Sequence, residues 1–218
     1  MTLISQPKQF AYVSGGRCAT ESIHAALRSV ESLQAYDPAE KCVDLQKLYD
    51  HHMPARVLRD TMGEETWQNY FTFTFVRNPY SWVVSAFFQR VMSGRISGPP
   101  GGLMRLKDFV NTVAYFRSPV GRRHLPGAIR SQVAFIADES GDIIVDFVGR
   151  LENLADDYAR ICERIGITAP QLGHLNSSAA GSSAWRRHYD NAGGARELVE
   201  EWWGEDIRRL GYANTFAP

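Results

Sequence analysis

Residues 71–92 have the sequence FTFTFVRNPYSWVVSAFFQRVM, and this stretch decides the fold class. Its first six residues are aromatic or β-branched throughout, which is typical of a buried β-strand. The tripeptide RNP at 77–79 then ends the strand, and a proline suits the start of a helix. Hydrophobic side chains recur at helical spacing from Tyr80 to Met92. The stretch therefore predicts a strand, a short loop and a helix.

Two other stretches have the same pattern. Residues 10–14 (FAYVS) form an apolar run that stops at two glycines, and a helix is predicted over 19–30. Residues 143–148 (IIVDFV) predict a third strand, followed by a helix over 154–165. Strands that alternate with helices predict an α/β fold in which a central parallel sheet is flanked by helices on both faces, a three-layer arrangement. Ligands bind such sheets at the carboxyl ends of the strands.

The rest of the chain predicts more helices and two loops. Further helical patterns cover 53–70 (broken at Gly63), 106–116 and 185–210. Glycine, proline and serine are concentrated at 93–102 and 176–184, which are predicted to be mobile loops. No linker is long enough to separate two domains, so residues 1–218 are expected to form a single domain.

Composition and charge exclude several classes of protein. The 218 residues are 44% hydrophobic and 22% charged, as in an ordinary soluble globular domain. The 24 basic residues balance the 24 acidic ones, so no global field favours nucleic acid or an anionic membrane. The 3 cysteines are widely spaced and form no C-x-x-C pair, which argues against a zinc site or a disulfide framework. The chain has no signal-like start and no long apolar run, so a cytoplasmic protein without a membrane span is expected.

Two of the predicted turns have the chemistry of anion sites. The turn VSGGRCATESI at 13–23 places glycines, an arginine and hydroxyl groups at the start of a helix, where N–H groups and the helix dipole attract anions. It lacks the second glycine and the lysine of the nucleotide-kinase loop G-x-x-x-x-G-K-[ST]. In the second turn Arg77 follows the strand and Ser85 lies two helical turns further on, so both can face one phosphate.

These segments resemble those of sulfotransferases that use 3'-phosphoadenosine 5'-phosphosulfate, in particular the carbohydrate sulfotransferase branch. The family motif K-x-A-x-T-S is similar to RCATES at 17–22, and R-N-P-Y-x-x-x-x-S-A-F is matched in full at 77–87. The segment GRLENLADDY at 149–158 and the ending DIRRLGY at 206–212 also look like family segments. The resemblance extends from about Phe10 to Tyr212, in the family's order.

The resemblance implies a P-loop-like fold and assigns nucleotide contacts residue by residue. Arg77 and Ser85 would bind the 3'-phosphate, and Arg150 would also contact the nucleotide. The residues of the first turn, which would hold the 5'-phosphosulfate, are Gly15, Gly16, Arg17, Cys18, Ala19, Thr20, Glu21 and Ser22. Two positions differ from the family: its lysine is Arg17 here, and its threonine is Glu21. Arginine keeps the charge but does not readily act as a proton donor.

The resemblance also implies the reaction, which is in-line transfer of a sulfuryl group to a hydroxyl of a carbohydrate or small molecule, without a metal. Positioning and charge dominate such transfers. We assign Arg17 to the leaving group and a histidine to the general base. The spacing Y-x-x-H before a predicted helix resembles the segment that carries the catalytic histidine in the 2-O-sulfotransferase branch, and it selects His52. A carboxylate base from Glu21 or Asp50 is the alternative.

The acceptor site is expected in the loop 93–102 and in two basic clusters that contain Arg122 to His124 and Trp185 to Arg187. Aromatic and arginine side chains suit a sugar ring or an anionic glycan. A solvated basic face is the alternative for either cluster. The candidate acceptor-binding residues are His51, Arg123, His124, Trp185 and Arg186.

Two other functions compete with the sulfotransferase interpretation. A P-loop-type phosphotransferase is disfavoured by the missing lysine of the phosphate loop and by the lack of an evident carboxylate for Mg²⁺. A nucleotide-binding protein with weak or lost turnover is suggested by Arg17 and Glu21. Binding of the doubly phosphorylated nucleotide without metal would argue against the first alternative, and restoring a lysine at position 17 would test the second.

Overall fold

The computed structural model describes residues 2–30, 35–36, 52–92, 131–173, 185–190, 194–213 and 215–216. The strands within these ranges are β1 (Leu3–Ser5), β2 (Phe10–Tyr12), β3 (Ala35–Tyr36), β4 (Phe71–Val76) and β5 (Phe147–Arg150). The helices are α1 (Thr20–Arg28), α2 (Ala55–Met62), α3 (Glu64–Asn69), α4 (Pro79–Met92), α5 (Gln132–Ile136), α6 (Leu154–Arg164), α7 (Arg187–Asp190) and α8 (Ala195–Arg209). A 3₁₀ turn at Leu151–Asn153 precedes α6.

Contacts divide the chain into two compact units. The first contains Met1–Val76 and Pro126–Asn176, and the second contains Arg77–Leu125 and Ser177–Pro218. The sheet belongs to the first unit, whereas α4, α7 and α8 belong to the second. A single domain over residues 1–218 stays a prediction.

The sheet of the first unit has the order β3-β1-β2-β4-β5. Strands β2, β4 and β5 are parallel, and β1 pairs antiparallel with both β2 and β3. The three parallel strands are those predicted from the sequence, and the α/β class is confirmed. The mixed sheet with its flanking helices is consistent with a P-loop-like sandwich.

The third strand begins later than predicted, at Phe147 instead of Ile143. Ile143 forms an isolated bridge with Ala137, and the Ile144 N–H donates to the Ile136 carbonyl, so this part of the chain pairs with the end of α5. The Asp146 carboxylate accepts hydrogen bonds from the backbone N–H and the hydroxyl of Thr72. The Asp146 carboxylate thus attaches this segment to β4, and the parallel pairing of β5 with β4 begins at the next residue, Phe147.

The predicted helical segment over 53–70 is two helices, α2 and α3, broken at Gly63 as expected. Gly63 has φ +83°, a left-handed conformation that glycine adopts without steric cost. The tail predicted as helical from 185 to 210 contains α7 and α8. The predicted helix 106–116 and both predicted loops lie outside the described residues.

Aromatic residues from adjacent strands form the core of the first unit. Tyr12 and Phe73 stack at 5.1 Å between ring centroids, and Phe10 lies 5.7 Å from Phe73. These residues are fully buried, together with Phe75 of the same strand as Phe73. These ring contacts hold β2 against β4. They therefore fix the position from which the turn after β2 begins.

Gly149 of β5 gives the first prediction, because a side chain there has no space. A Cβ at this position would lie 2.6 Å from Cε1 and 2.8 Å from Cδ1 of the buried Phe75 ring. We expect Gly149→Ala to lower the free energy of unfolding by about 1–3 kcal/mol, measured by urea denaturation. The control is Gly204→Ala, whose Cβ would meet only the flexible end of Arg208 at 3.3 Å. Equal stability of the two variants would contradict the close approach.

Candidate active site

The turn between β2 and α1 is anchored on β4. The Val13 N–H donates to the Phe73 carbonyl at 2.8 Å, and the Thr74 hydroxyl donates to the Val13 carbonyl at 2.7 Å. At the other end of the turn the Thr20 hydroxyl donates to the Gly15 carbonyl at 2.7 Å. The turn is therefore closed by a side chain of the helix that it leads into.

The backbone of this turn is strained. Arg17 and Ala19 have φ values of +67° and +57°, a left-handed conformation that costs non-glycine residues about 1–2 kcal/mol each. Ala19 is the N-cap of α1, and no side chain caps the helix there. The first N–H groups of a helix have no intrahelical partners, and left-handed residues in a turn direct successive N–H groups towards one concave surface. These are the features of an anion site built from backbone.

Arg17 is the cation of this turn and is partly buried. Burial lowers the pKa of its guanidinium, whereas the nearby Cys18 and Glu21 side chains act in the opposite direction. Partial shielding from water strengthens the attraction between a guanidinium and an anion. Glu21, which replaces the family's threonine, is exposed on the first turn of α1.

The structure brings His52 to the start of the same turn. Its Nδ1 lies 2.9 Å from the carbonyl oxygen of Ser14 and 3.4 Å from the Ser14 hydroxyl. A carbonyl only accepts, so the contact at 2.9 Å places a proton on Nδ1. In the neutral ring Nε2 then carries the lone pair, as in a base that a third group orients. His51 lies outside the described residues.

Cys18 closes one side of the turn. Its thiol is buried, donates to the Gly16 carbonyl at 3.4 Å and lies 3.7 Å from Oε1 of Gln132 on α5. A small cleft between the turn and α5 is lined by Gly15, Cys18, Gln132 and Phe135 among others. Gln132 was missed by the sequence analysis, since its contact with Cys18 spans 114 positions of the chain and leaves no local pattern.

In the second unit Arg77 is held by the first turn of α4. Its Nε donates to the Ser81 hydroxyl at 2.8 Å, and that hydroxyl donates to the Asn78 carbonyl at 3.1 Å. Residues 77, 81 and 85 are spaced by four, which places them along one side of the helix start. Arg77 is 4% exposed and Ser85 is fully buried. Ser81 was missed as a site residue, although its spacing of four from Arg77 was visible in the sequence.

Arg150 ends β5 and its side chain is exposed. Its backbone N–H donates to the Asp157 carboxylate at 2.8 Å, and the same carboxylate accepts from the Asn153 amide at 3.0 Å. Asp157 thus fixes the start of α6 behind the strand. Asp157 of the third motif therefore has a structural role, whereas the Arg150 side chain of the same motif is exposed.

Two of the candidate acceptor residues make contacts within the second unit. Trp185 is 8% exposed and stacks on Tyr80 at 6.2 Å between ring centroids. Arg186 donates from Nη2 to the Thr215 carbonyl at 2.8 Å. The structure gives both residues contacts within the protein, and their contact with an acceptor stays a prediction. Arg123 and His124 lie outside the described residues.

The described residues contain no metal site and no membrane-spanning helix. Across the described ranges, no group of three or more His, Cys, Asp or Glu side chains has a geometry that holds a metal ion. None of the helices described is long and apolar enough to cross a membrane.

Comparisons with known proteins give the chain its family. A model of the sulfotransferase family matches residues 1–213. A protein from Archaeoglobus fulgidus, described as uncharacterized, is 27% identical over 128 residues, which are 58% of this chain and 93% of that protein. The crystal structure of a sulfotransferase from Alicyclobacillus acidocaldarius is similar with a TM-score of 0.49 and 12% identity, over 91% of this chain and 96% of that one. With almost its whole length matched by the family model, the chain belongs to the sulfotransferase family.

Proposed function

We propose that this protein transfers a sulfuryl group from 3'-phosphoadenosine 5'-phosphosulfate to a hydroxyl group of a carbohydrate or small molecule, in the cytoplasm. Family membership supports sulfuryl transfer in general. The observation that carries the finer proposal is the contact of 2.9 Å between His52 Nδ1 and the Ser14 carbonyl. It holds a basic nitrogen beside a turn whose backbone suits an anion.

Nucleotide binding is divided between two sets of residues. The turn from Gly15 to Ser22, with its strained backbone and uncapped helix, is proposed to hold the 5'-phosphosulfate. Arg77 and Ser85 are proposed to bind the 3'-phosphate, in agreement with the fully matched family motif. Arg150 is proposed as a further contact, since its exposed guanidinium ends a parallel strand.

The donor supplies the sulfuryl group. Side chains of this protein accept the proton of the acceptor hydroxyl and stabilise the charge of the leaving group. His52 Nε2 accepts the proton of the acceptor hydroxyl while its Nδ1–H remains on the Ser14 carbonyl. The acceptor oxygen forms a bond to sulfur as the bond from sulfur to the bridging oxygen breaks. Arg17 stabilises the negative charge that this oxygen gains as part of the leaving 5'-phosphate.

The nucleotide site is tested by calorimetric titration with 3'-phosphoadenosine 5'-phosphate in the absence of magnesium. We expect binding by the wild type and an increase in Kd of about 30- to 150-fold for Arg77→Ala, since hydrogen bonds to a charged group contribute about 2–3 kcal/mol. Arg209→Ala is the control, because Arg209 pairs only with Glu205 on its own helix among the contacts described.

Each result of this titration decides something. Absence of binding by folded wild type would overturn the sulfotransferase proposal. If a second titration, with a nucleoside triphosphate and magnesium, gave binding where the bisphosphate gave none, a phosphotransferase would be favoured instead. Once binding is shown, the acceptor class is found by following release of the bisphosphate nucleotide with simple sugars, phenols and aliphatic alcohols as acceptors. Turnover with none of them would favour a nucleotide-binding protein without activity.

A further inference from the structure

The second unit contains a chain of hydrogen bonds that begins at Arg77 and that the proposed reaction does not use. Arg77 Nε donates to the Ser81 hydroxyl, which donates to the Asn78 carbonyl. The Asn78 side-chain Nδ2 then donates to the Thr215 hydroxyl at 2.9 Å, and that hydroxyl donates to the Tyr212 carbonyl at 2.7 Å. Each hydroxyl accepts one bond and donates one. This series of hydrogen bonds therefore connects Arg77 to Thr215, which lies 137 positions beyond Asn78 in the sequence.

Asn78 is the central member because both ends of its amide are engaged. Its Oδ1 accepts from the Tyr80 N–H at 3.0 Å, at the start of α4, while its Nδ2 is held by Thr215. An asparagine that loses one of these partners can rotate and release the other. Its Oδ1 also accepts from the Ser81 N–H at 3.5 Å, and its backbone carbonyl accepts from the Ser81 hydroxyl. The orientation of Ser81 and Arg77 thus depends on the orientation of Asn78.

Thr215 and its neighbour Phe216 are held by three contacts, one to Thr215 and two to Phe216. Arg186 Nη2 donates to the Thr215 carbonyl at 2.8 Å. The neighbouring Phe216 ring packs edge-on against Tyr80 at 4.7 Å and lies 4.4 Å under the Arg196 guanidinium. The two contacts of Phe216 are an edge-to-face aromatic pair and a cation–π contact, and both restrict where residues 215 and 216 lie. We name Thr215 and Phe216 together the 215–216 clasp.

We propose that the 215–216 clasp positions Arg77 for the 3'-phosphate, so that Thr215 is a positioning residue for nucleotide recognition. This inference rests on the proposed function, because it requires Arg77 to bind the 3'-phosphate. It gives Arg186 the role of holding the clasp. It also gives a function to the chain immediately after the motif DIRRLGY, whose last residue, Tyr212, accepts the final hydrogen bond.

The test compares two nucleotides that differ only at the 3' position. Calorimetry gives Kd for 3'-phosphoadenosine 5'-phosphate and for adenosine 5'-phosphate with wild type, Thr215→Val and Thr215→Ser. Valine has the shape of threonine without the hydroxyl, whereas serine keeps the hydroxyl. We expect Thr215→Val to weaken the bisphosphate about tenfold and leave the monophosphate unchanged, and Thr215→Ser to behave as wild type.

A merely structural role would affect both nucleotides alike. Equal weakening of both, or no change in either, would overturn the positioning role of Thr215. A wild type that does not prefer the bisphosphate would instead overturn the proposed function, and the clasp with it. Phe216→Ala is the second variant if Thr215→Val fails to melt cooperatively, since Phe216 is partly exposed. It is expected to show the same selective loss, and an unchanged preference for the bisphosphate would count against the clasp.

Discussion

Replacement of His52 by asparagine is expected to lower kcat about 10³-fold, within the 10²- to 10⁴-fold range of general-base catalysis, and to leave nucleotide affinity unchanged. An asparagine amide can still donate to the Ser14 carbonyl, as Nδ1 of the histidine does at 2.9 Å. It has no basic nitrogen to accept the proton of the acceptor hydroxyl. The turn should thus keep its shape while the chemical step slows.

The measurement is initial rate with the best acceptor from the screen, together with the Kd of the bisphosphate nucleotide. Gln68→Ala is the control, because Gln68 is exposed on α3 and its amide donates only to Glu64 of the same helix among the contacts described. A His52→Asn rate within about threefold of wild type would show that another group is the base. Glu21→Gln would then be the next variant to measure.

The fold was predictable where hydrophobic pattern and turn chemistry agree. FTFTFV forms β4 with the predicted bounds, and the glycine pair after FAYVS leads into α1 as expected. Strand β1 was missed because three residues are too short to show an alternating pattern, and β3, with two residues, is shorter still. Both are defined by their partners in the sheet rather than by their own sequences.

The candidate site divides in the same way. The turn, Arg77 and His52 were proposed from the sequence because each lies in a segment with a recognisable local spacing. Gln132 and Thr215 were not, because each reaches its partner across more than 100 positions of the chain. Trp185 was predicted to contact the acceptor because of its aromatic ring, and that contact stays a prediction. The structure also stacks the ring on Tyr80, a contact that the local sequence does not indicate.

Loss of the Arg17 guanidinium is expected to be comparably severe. Arg17→Ala should lower kcat/KM by about 10³-fold, since removal of one cation or donor that stabilises transition-state charge costs about 10²- to 10⁵-fold. Arg17 is partly buried in the turn, and burial lowers the pKa of its guanidinium while Cys18 and Glu21 oppose that shift. In the proposed reaction, the guanidinium charge of Arg17 is the side-chain contribution of this turn to stabilising the leaving phosphate.

The variant Arg17→Lys distinguishes an enzyme that uses arginine for catalysis from a protein that binds nucleotide without turnover. Position 17 has φ +67°, which lysine and arginine tolerate equally, so the two side chains are compared on the same strained backbone. If arginine already stabilises the leaving group, Arg17→Lys should retain activity within about tenfold, because the charge is kept and only the fork geometry is lost. If the native chain binds nucleotide without turning it over, the lysine should raise the rate far above wild type. Arg17→Ala with unchanged kcat/KM would remove Arg17 from the mechanism altogether.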